Sequence, residues 1–117
     1  MGGGTGKGGR ANRRRGEIEA PLDGERRILC LTLGALAELE TAFAVDDLAS
    51  LGARFSAGRL GAADLIRILG AGLRGGGNLV SDEEVAEMTA EDGIAGFARI
   101  VADLLSATFA PEGAQNP

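Results

Sequence analysis

"LTLGALAELE", residues 31–40, decides the fold, because it begins like a buried strand and ends like an amphipathic helix. Before its glycine, apolar residues alternate with a period of two, which is typical of a strand. After the glycine, Leu36, Leu39 and Phe43 recur at i, i+3 and i+7, which places them on one face of a helix. The stretch therefore predicts a strand that leads directly into a helix over about residues 33–44.

The residues before this stretch, "EIEAPLDGERRILC", predict a β-hairpin. Asp23 and Gly24 tolerate the positive φ angles of a tight turn between two strands. On the second strand, the alternation places Leu29, Leu31 and Leu33 on one face, which we expect to be the inner face. A hairpin alone is marginally stable in water, so it must pack against helices. Its free edges are candidates for strand addition by another chain.

Four further helices are expected after the first. The fold class is therefore α+β but mainly α, with an N-terminal β-hairpin followed by about five short helices. Asp46 is a candidate N-cap of the second helix and Gly61 of the third, whose leucines stack at i, i+4 and i+8. The "GGG" at residues 75–77 should end the third helix with a glycine in the left-handed conformation. Ser81 and Glu84 have the spacing of a capping box, and an apolar stripe before a proline predicts the last helix.

Length and composition predict a single domain, since 117 residues can bury one modest core. The aromatic share is only 3%, so that core must be aliphatic. Residues 1–15 are rich in Gly and Arg and nearly without large apolar side chains, so we expect a disordered basic tail there. Residues 16–110 should form the small helical domain with its N-terminal hairpin, and residues 111–117 a second disordered tail.

Charge is distributed unevenly along the chain. Residues 1–15 carry five cations and no acid, so the net charge of −5 for the whole chain leaves −10 for the remainder. An acidic body repels nucleic acid, and the chain has no Trp or Tyr to stack on bases. No nucleic-acid partner is expected. A nucleic-acid-associated regulator that uses the basic tail is the disfavoured alternative.

Residues for catalysis or for binding a cofactor are largely missing from the sequence. The chain has no His and one Cys, Cys30, which excludes Ser–His and Cys–His pairs, imidazole metal sites and zinc clusters. Around Lys7, "GKG" shares glycine and lysine with phosphate loops, but Gly8 stands where such a loop needs Ser or Thr. The acids after Ser81 have the chemistry to ligate Mg²⁺, although a solvated first helical turn explains them better. We therefore expect no enzyme activity, no cofactor and no metal.

The sequence also indicates where in the cell the protein is located. No apolar run approaches the roughly 18 residues of a membrane span, and no signal peptide is visible. A lone cysteine fits a reducing compartment. The expected location is the cytoplasm, without a membrane partner.

Eight positions are candidates for the core or for a partner-binding surface. They are Leu31, Leu33, Leu36, Leu39, Phe43, Leu69, Leu73 and Arg74. Arg74 is the charged residue among these eight positions, and two interpretations of it are open. With the glycines that follow it, Arg74 could form a basic nest for a carboxylate or phosphate. Alternatively, it is a cation that interacts favourably with the end of a helix.

Two long stretches, "LTLGALAELETAF" at 31–43 and "LGARFSAGRLGAADLIRILGAGLRGGG" at 51–77, resemble the small tail protein of gene transfer agents, which are phage-like particles. The order of parts is similar from about Gly16 to Phe109. Families of this kind are described as tail assembly chaperones and are also catalogued as tail tube proteins. The resemblance implies a non-enzymatic role in which the protein coats the tape-measure protein, keeps it from aggregating, and is displaced as tail tube subunits polymerise.

The resemblance leaves one structural alternative open, a tail tube component that is retained in the particle. A single hairpin in a helical chain counts against a β-rich ring subunit. The implied partners are the tape-measure protein and tail tube subunits, and a homo-oligomer is compatible with the sequence.

Overall fold

The computed structural model describes residues 11–45, 47–58 and 60–109. In this part of the chain a two-stranded antiparallel hairpin is followed by five α-helices, which confirms the predicted fold class. A single 3-10 turn, Arg13–Arg15, precedes the hairpin. The strands and helices are β1 Glu17–Leu22, β2 Glu25–Cys30, α1 Leu33–Phe43, α2 Leu48–Ser56, α3 Ala62–Gly75, α4 Asp82–Ala86 and α5 Gly93–Phe109.

The hairpin turns at Asp23 and Gly24, as their tolerance of positive φ predicts. Their φ angles are 58° and 79°, and a two-residue type I′ turn needs positive φ at both central positions. The resulting register sets Ile18 of β1 opposite Leu29 of β2, and both side chains are buried. Every second residue of β1 faces inward, so the inner face of the hairpin lies on the helices.

The inner face of β2 ends earlier than the sequence pattern predicts. Leu29 and Leu31 are buried, whereas the side chain of Leu33 is 83% exposed. Thr32 is the cause, because its hydroxyl accepts a hydrogen bond from the N–H of Ala35 at 3.1 Å and so caps α1. The chain is already helical at Leu33, and the placement of Leu33 on the inner strand face is wrong.

The apolar stripe of α1 faces the core. Leu36, Leu39 and Phe43 are all buried, and α1 packs mainly against α3. The helix ends at Ala44, which has a φ of 55° and donates its N–H to carbonyl oxygens of the last turn. Residues 31–40 therefore contribute both the buried Leu31, which follows the strand, and the buried face of α1 to the same core.

α2 is capped by a different residue from the one predicted. The carboxylate of Asp47 accepts a hydrogen bond from the N–H of Ser50 at 2.7 Å, and this bond lowers the pKa of Asp47. Asp46, the predicted cap, lies outside the described residues. α2 packs against α1, and its Leu51 is buried.

The other predicted helix starts are present. The carboxylate of Asp64 accepts a hydrogen bond from the N–H of Gly61, the N-cap of α3, at 3.0 Å. Ser81 and Glu84 form the capping box of α4, with hydrogen bonds of 2.8 and 3.1 Å. Since each cap orients the following helix, these short polar contacts determine where the helical segments begin.

α3 ends in a Schellman motif. Gly77 has a φ of +97°, which is the left-handed conformation predicted for this glycine run. The N–H of Asn78 donates to the carbonyl of Leu73 at 2.8 Å, and the N–H of Gly77 donates to the carbonyl of Arg74 at 3.1 Å. The two bonds satisfy carbonyl groups that the end of a helix would otherwise leave unpaired.

The two preceding glycines allow α3 to approach β2 closely. A Cβ atom at Gly75 would lie 2.0 Å from the carbonyl oxygen of Cys30, and one at Gly76 would lie 2.0 Å from that of Ile28. No other residue type fits without movement of the backbone. We call this contact between the last turn of α3 and the edge of β2 the α3–β2 junction.

Asn78 completes the α3–β2 junction. Its side-chain amide donates to the carbonyl of Ile28 at 2.9 Å and to that of Leu73 at 3.0 Å, which joins the strand to the helix. The edge of β2 is thus covered here, and the prediction that it could accept another strand is wrong. On β1, Pro21 has no N–H to offer a neighbouring strand.

A 3-10 turn lies directly before the hairpin, within the residues expected to form the basic tail. The Asn12 side chain caps the 3-10 turn, and Arg13 forms an ion pair of 3.1 Å with Asp103 of α5. These polar contacts accompany the turn without burial of a large apolar side chain, and the disorder expected for residues 1–15 stays a prediction. Residues 1–10 and the C-terminal tail lie outside the described residues.

We expect Gly75→Ala to lower the free energy of unfolding by about 1 to 3 kcal/mol or more, because the added methyl group overlaps the carbonyl of Cys30. Gly52→Ala, within α2, is the matched control, since a Cβ at that position has no described atom within 4 Å apart from its chain neighbours and the backbone of its own helix. That change should be neutral or stabilise by up to about 1 kcal/mol, as alanine is the better helix former. Urea denaturation measures both. Equal stability of the two variants would contradict the close α3–β2 junction.

Candidate partner-binding groove

The described part of the chain offers little for catalysis. Among residues 11–45, 47–58 and 60–109, no three His, Cys, Asp or Glu side chains are grouped so that they could hold a metal ion. Burial raises the pKa of the Cys30 thiol, which disfavours the reactive thiolate. No helix that the structure describes is both long and apolar enough to cross a lipid bilayer.

Arg74 holds three helical segments together. Its Nη1 donates to the carbonyl of Val80 and to the carboxylate of Asp82, both at 3.0 Å, and its Nη2 donates to Glu38 of α1. Burial opposes its charge, but the hydrogen bonds to Asp82 and Glu38 raise the pKa of Arg74 above its usual value. Two carboxylates against one guanidinium leave excess negative charge. This arrangement favours the structural cation over the anion-binding nest.

The seven apolar candidates fall into two groups. Six are buried and pack together in the core, namely Leu31, Leu36, Leu39, Phe43, Leu69 and Leu73. Leu33 is exposed at the first turn of α1. The stripe on α1 therefore contributes to the core in this chain.

An apolar groove of about 160 Å³ lies between α3, α4 and α5. It is lined by Ala62, Leu65, Ile66, Leu69, Val85, Ala86, Met88, Ile94 and Phe97. Leu65, Leu69 and Val85 are buried and form its floor, whereas Ile94 is 63% exposed. An apolar cavity of about 150 Å³ binds benzene, so this groove has room for one large apolar side chain of a partner.

Three acidic residues adjoin groove residues along the chain, and we call them the acidic border of the groove. Glu87, Glu91 and Asp92 lie in or beside the turn between α4 and α5 and are exposed. Asp92 forms an ion pair with Arg99, whereas Glu87 and Glu91 have no ion-pair partner among the described residues. The groove thus has apolar walls, and acidic residues adjoin those walls in the chain.

The leucine spacing of the third helix predicts that Leu65 and Leu69 stack along one helix face, and it does not mark them as a site. Ile94 belongs to the apolar stripe that predicts the last helix, but its side chain is mostly exposed. One available signal was Ile66 beside Leu65, which widens the apolar face of α3 beyond a single stripe. Periodicity alone does not tell which part of a wide apolar face another helix covers.

We expect Arg74→Met to lower the free energy of unfolding by about 1.5 to 3 kcal/mol, because it removes charge-assisted hydrogen bonds and leaves the Val80 carbonyl without its side-chain donor. Glu38→Gln is the matched control, since it alters one half-exposed partner and should cost at most about 1 kcal/mol. Thermal denaturation measures both variants. A larger loss from Glu38→Gln, or stabilisation of the unaltered protein by added phosphate, would show that Arg74 has another role.

A comparison with protein families identifies the chain. The model of a family described as "Phage tail tube protein, GTA-gp10" matches residues 15–111. This span includes the hairpin and all five described helices. Neither the curated proteins nor the solved structures gave a match. The match agrees with the resemblance noted in the sequence. The chain therefore belongs to the gene transfer agent family of phage tail tube proteins, which is structural and not enzymatic.

Proposed function

We propose that this protein is a tail assembly chaperone that acts in the cytoplasm. It binds the tape-measure protein, keeps the apolar surface of that protein from aggregating, and is displaced when tail tube subunits polymerise. The observation that carries the proposal is the groove between α3, α4 and α5. A groove lined by apolar side chains, with Ile94 largely exposed, is a surface that a partner can cover.

The shape of the sheet supports a chaperone over a ring-forming subunit. β-Rich rings need sheet edges on which neighbouring subunits can add strands. Here the sheet in the described residues has two strands, and α3 lies on the edge of β2 at Ile28 and Cys30. The other strand contains Pro21, which cannot donate a backbone hydrogen bond.

The surface charge also suits a chaperone. The chain has a net charge of −5, and Glu83, Glu87 and Glu91 are exposed on and after α4. Net charge away from zero keeps a small protein soluble while it carries an apolar client.

The family description favours a second candidate, a tail tube component that stays in the particle. The two candidates differ in where the protein is found at the end of assembly. A chaperone is released before the tail is complete, whereas a tube component is present in the mature particle in many copies.

Co-expression with the tape-measure protein of the same particle tests the proposal. We expect the tape-measure protein in the soluble fraction when the full chain is present and in the pellet when it is absent, because a covered apolar surface does not aggregate. Centrifugation followed by gel electrophoresis measures this. Purified mature particles should lack the protein. Abundant protein in the particles, together with a tape-measure protein that pellets in either case, would support the tube component instead.

A further inference from the structure

The groove and its acidic border together define the partner segment more closely, and this inference rests on the proposed chaperone function. We propose that the groove binds an amphipathic helix of the partner. One large apolar side chain of that helix enters the groove, and Lys or Arg residues of the same helix face the acidic border.

The apolar part of the proposal follows from which side chains are uncovered. Met88 and Phe97 are only partly buried, and Ile94 is mostly exposed, although all three line the groove. A volume of about 160 Å³ suits one anchor and not an extended apolar strip. Anchors that fill a pocket of this kind carry most of the binding energy of an interface.

The helical conformation of the partner follows from the lining. Side chains of three helices form the walls, and helices use their backbone hydrogen-bonding groups internally. An extended peptide on this surface would leave its own N–H and C=O groups unpaired against apolar side chains, which is unfavourable. A helix satisfies these groups within itself and presents anchors at i, i+3 or i+4.

The basic charge of the partner follows from the border. Glu87 stands between the groove residues Ala86 and Met88 in the chain, and Glu91 precedes Ile94. Neither glutamate has an ion pair among the described residues, and Arg99 is already paired with Asp92. Arg67 follows the groove residue Ile66 but donates to a carbonyl of α1, that of Ala42, at 3.1 Å. A cationic helix is therefore attracted here and an acidic helix is repelled.

A synthetic amphipathic peptide of about 18 residues, long enough to form a helix alone, is the probe. It carries Leu and one Trp in its apolar stripe and Lys on both sides of it. The protein has no Trp and no Tyr, so the fluorescence of the peptide reports binding without background. We expect saturable binding to the full chain that weakens as salt is added.

Matched variants locate the binding site. Ile94→Ser should weaken binding roughly tenfold, because it removes the exposed wall of the groove. Leu33→Ser makes the same kind of change at an exposed residue outside the groove and should leave the affinity unchanged. The double variant Glu87→Lys with Glu91→Lys should also weaken binding, and a peptide with Glu in place of Lys should bind far more weakly. Circular dichroism confirms that each variant is folded.

Two results would overturn the inference: equal loss of binding in Leu33→Ser and Ile94→Ser, or equal affinity for the Lys and Glu peptides. Co-expression of Ile94→Ser with the tape-measure protein separates this inference from the proposed function. If the unaltered chain and Ile94→Ser both keep that protein soluble, the chaperone function holds and the groove assignment fails. If the peptide binds as expected but the tape-measure protein pellets with the unaltered chain, the groove assignment holds and the chaperone function fails.

Discussion

A Cβ atom at position 75 would lie 2.0 Å from the carbonyl oxygen of Cys30, and one at position 76 would lie 2.0 Å from that of Ile28. Glycine is therefore required at both positions for α3 to lie on the edge of β2. The amide of Asn78 then bonds to the strand and to the helix at once. This α3–β2 junction fixes the central helix against the hairpin. The remaining helices are placed by the contacts that they make with α3 or with its immediate neighbours.

The same half of α3 also holds the segments on its other sides. A Cβ at Gly70 would lie 2.1 Å from the carboxylate of Asp82 at the start of α4, and one at Gly72 would lie 2.6 Å from Leu104 of α5. The N-terminal half of α3 is less buried than this half. Ala62 and Ile66 lie in the less buried half and line the groove. The groove therefore extends toward the end of α3 that is opposite to this tight packing.

The sequence predicted those elements whose signals are local. Asp23 and Gly24 specified the turn, and Ser81 with Glu84 specified a helix start, because in each case the residues that interact lie within a few positions of one another. The prediction failed where the outcome depended on contacts between distant residues. Leu33 continues the alternation of the strand in sequence, but the Thr32 cap turns the chain before Leu33 can face inward.

The same limit applies to the candidate site. The glycine run after Arg74 predicts the end of a helix. Only the folded chain shows that two of its glycines are needed for contact with β2. Likewise, Arg74 is adjacent to no acid in sequence, yet it joins Glu38 and Asp82 in space. The groove could not be predicted from the sequence, because the exposure of Ile94 depends on how far α4 and α5 cover α3.

Native-state hydrogen exchange of the isolated protein tests most directly whether the α3–β2 junction holds the fold together. The amides of Gly76 and Asn78, which donate to carbonyls of the last turn of α3, should exchange only through global unfolding, with the same free energy as the paired amides of the hairpin. Amides of α2, which packs mainly on α1, should exchange through a smaller local opening. If Gly76 and Asn78 exchange at a lower free energy than the amides of α2, the α3–β2 junction is not the constraint that the rest of the structure depends on.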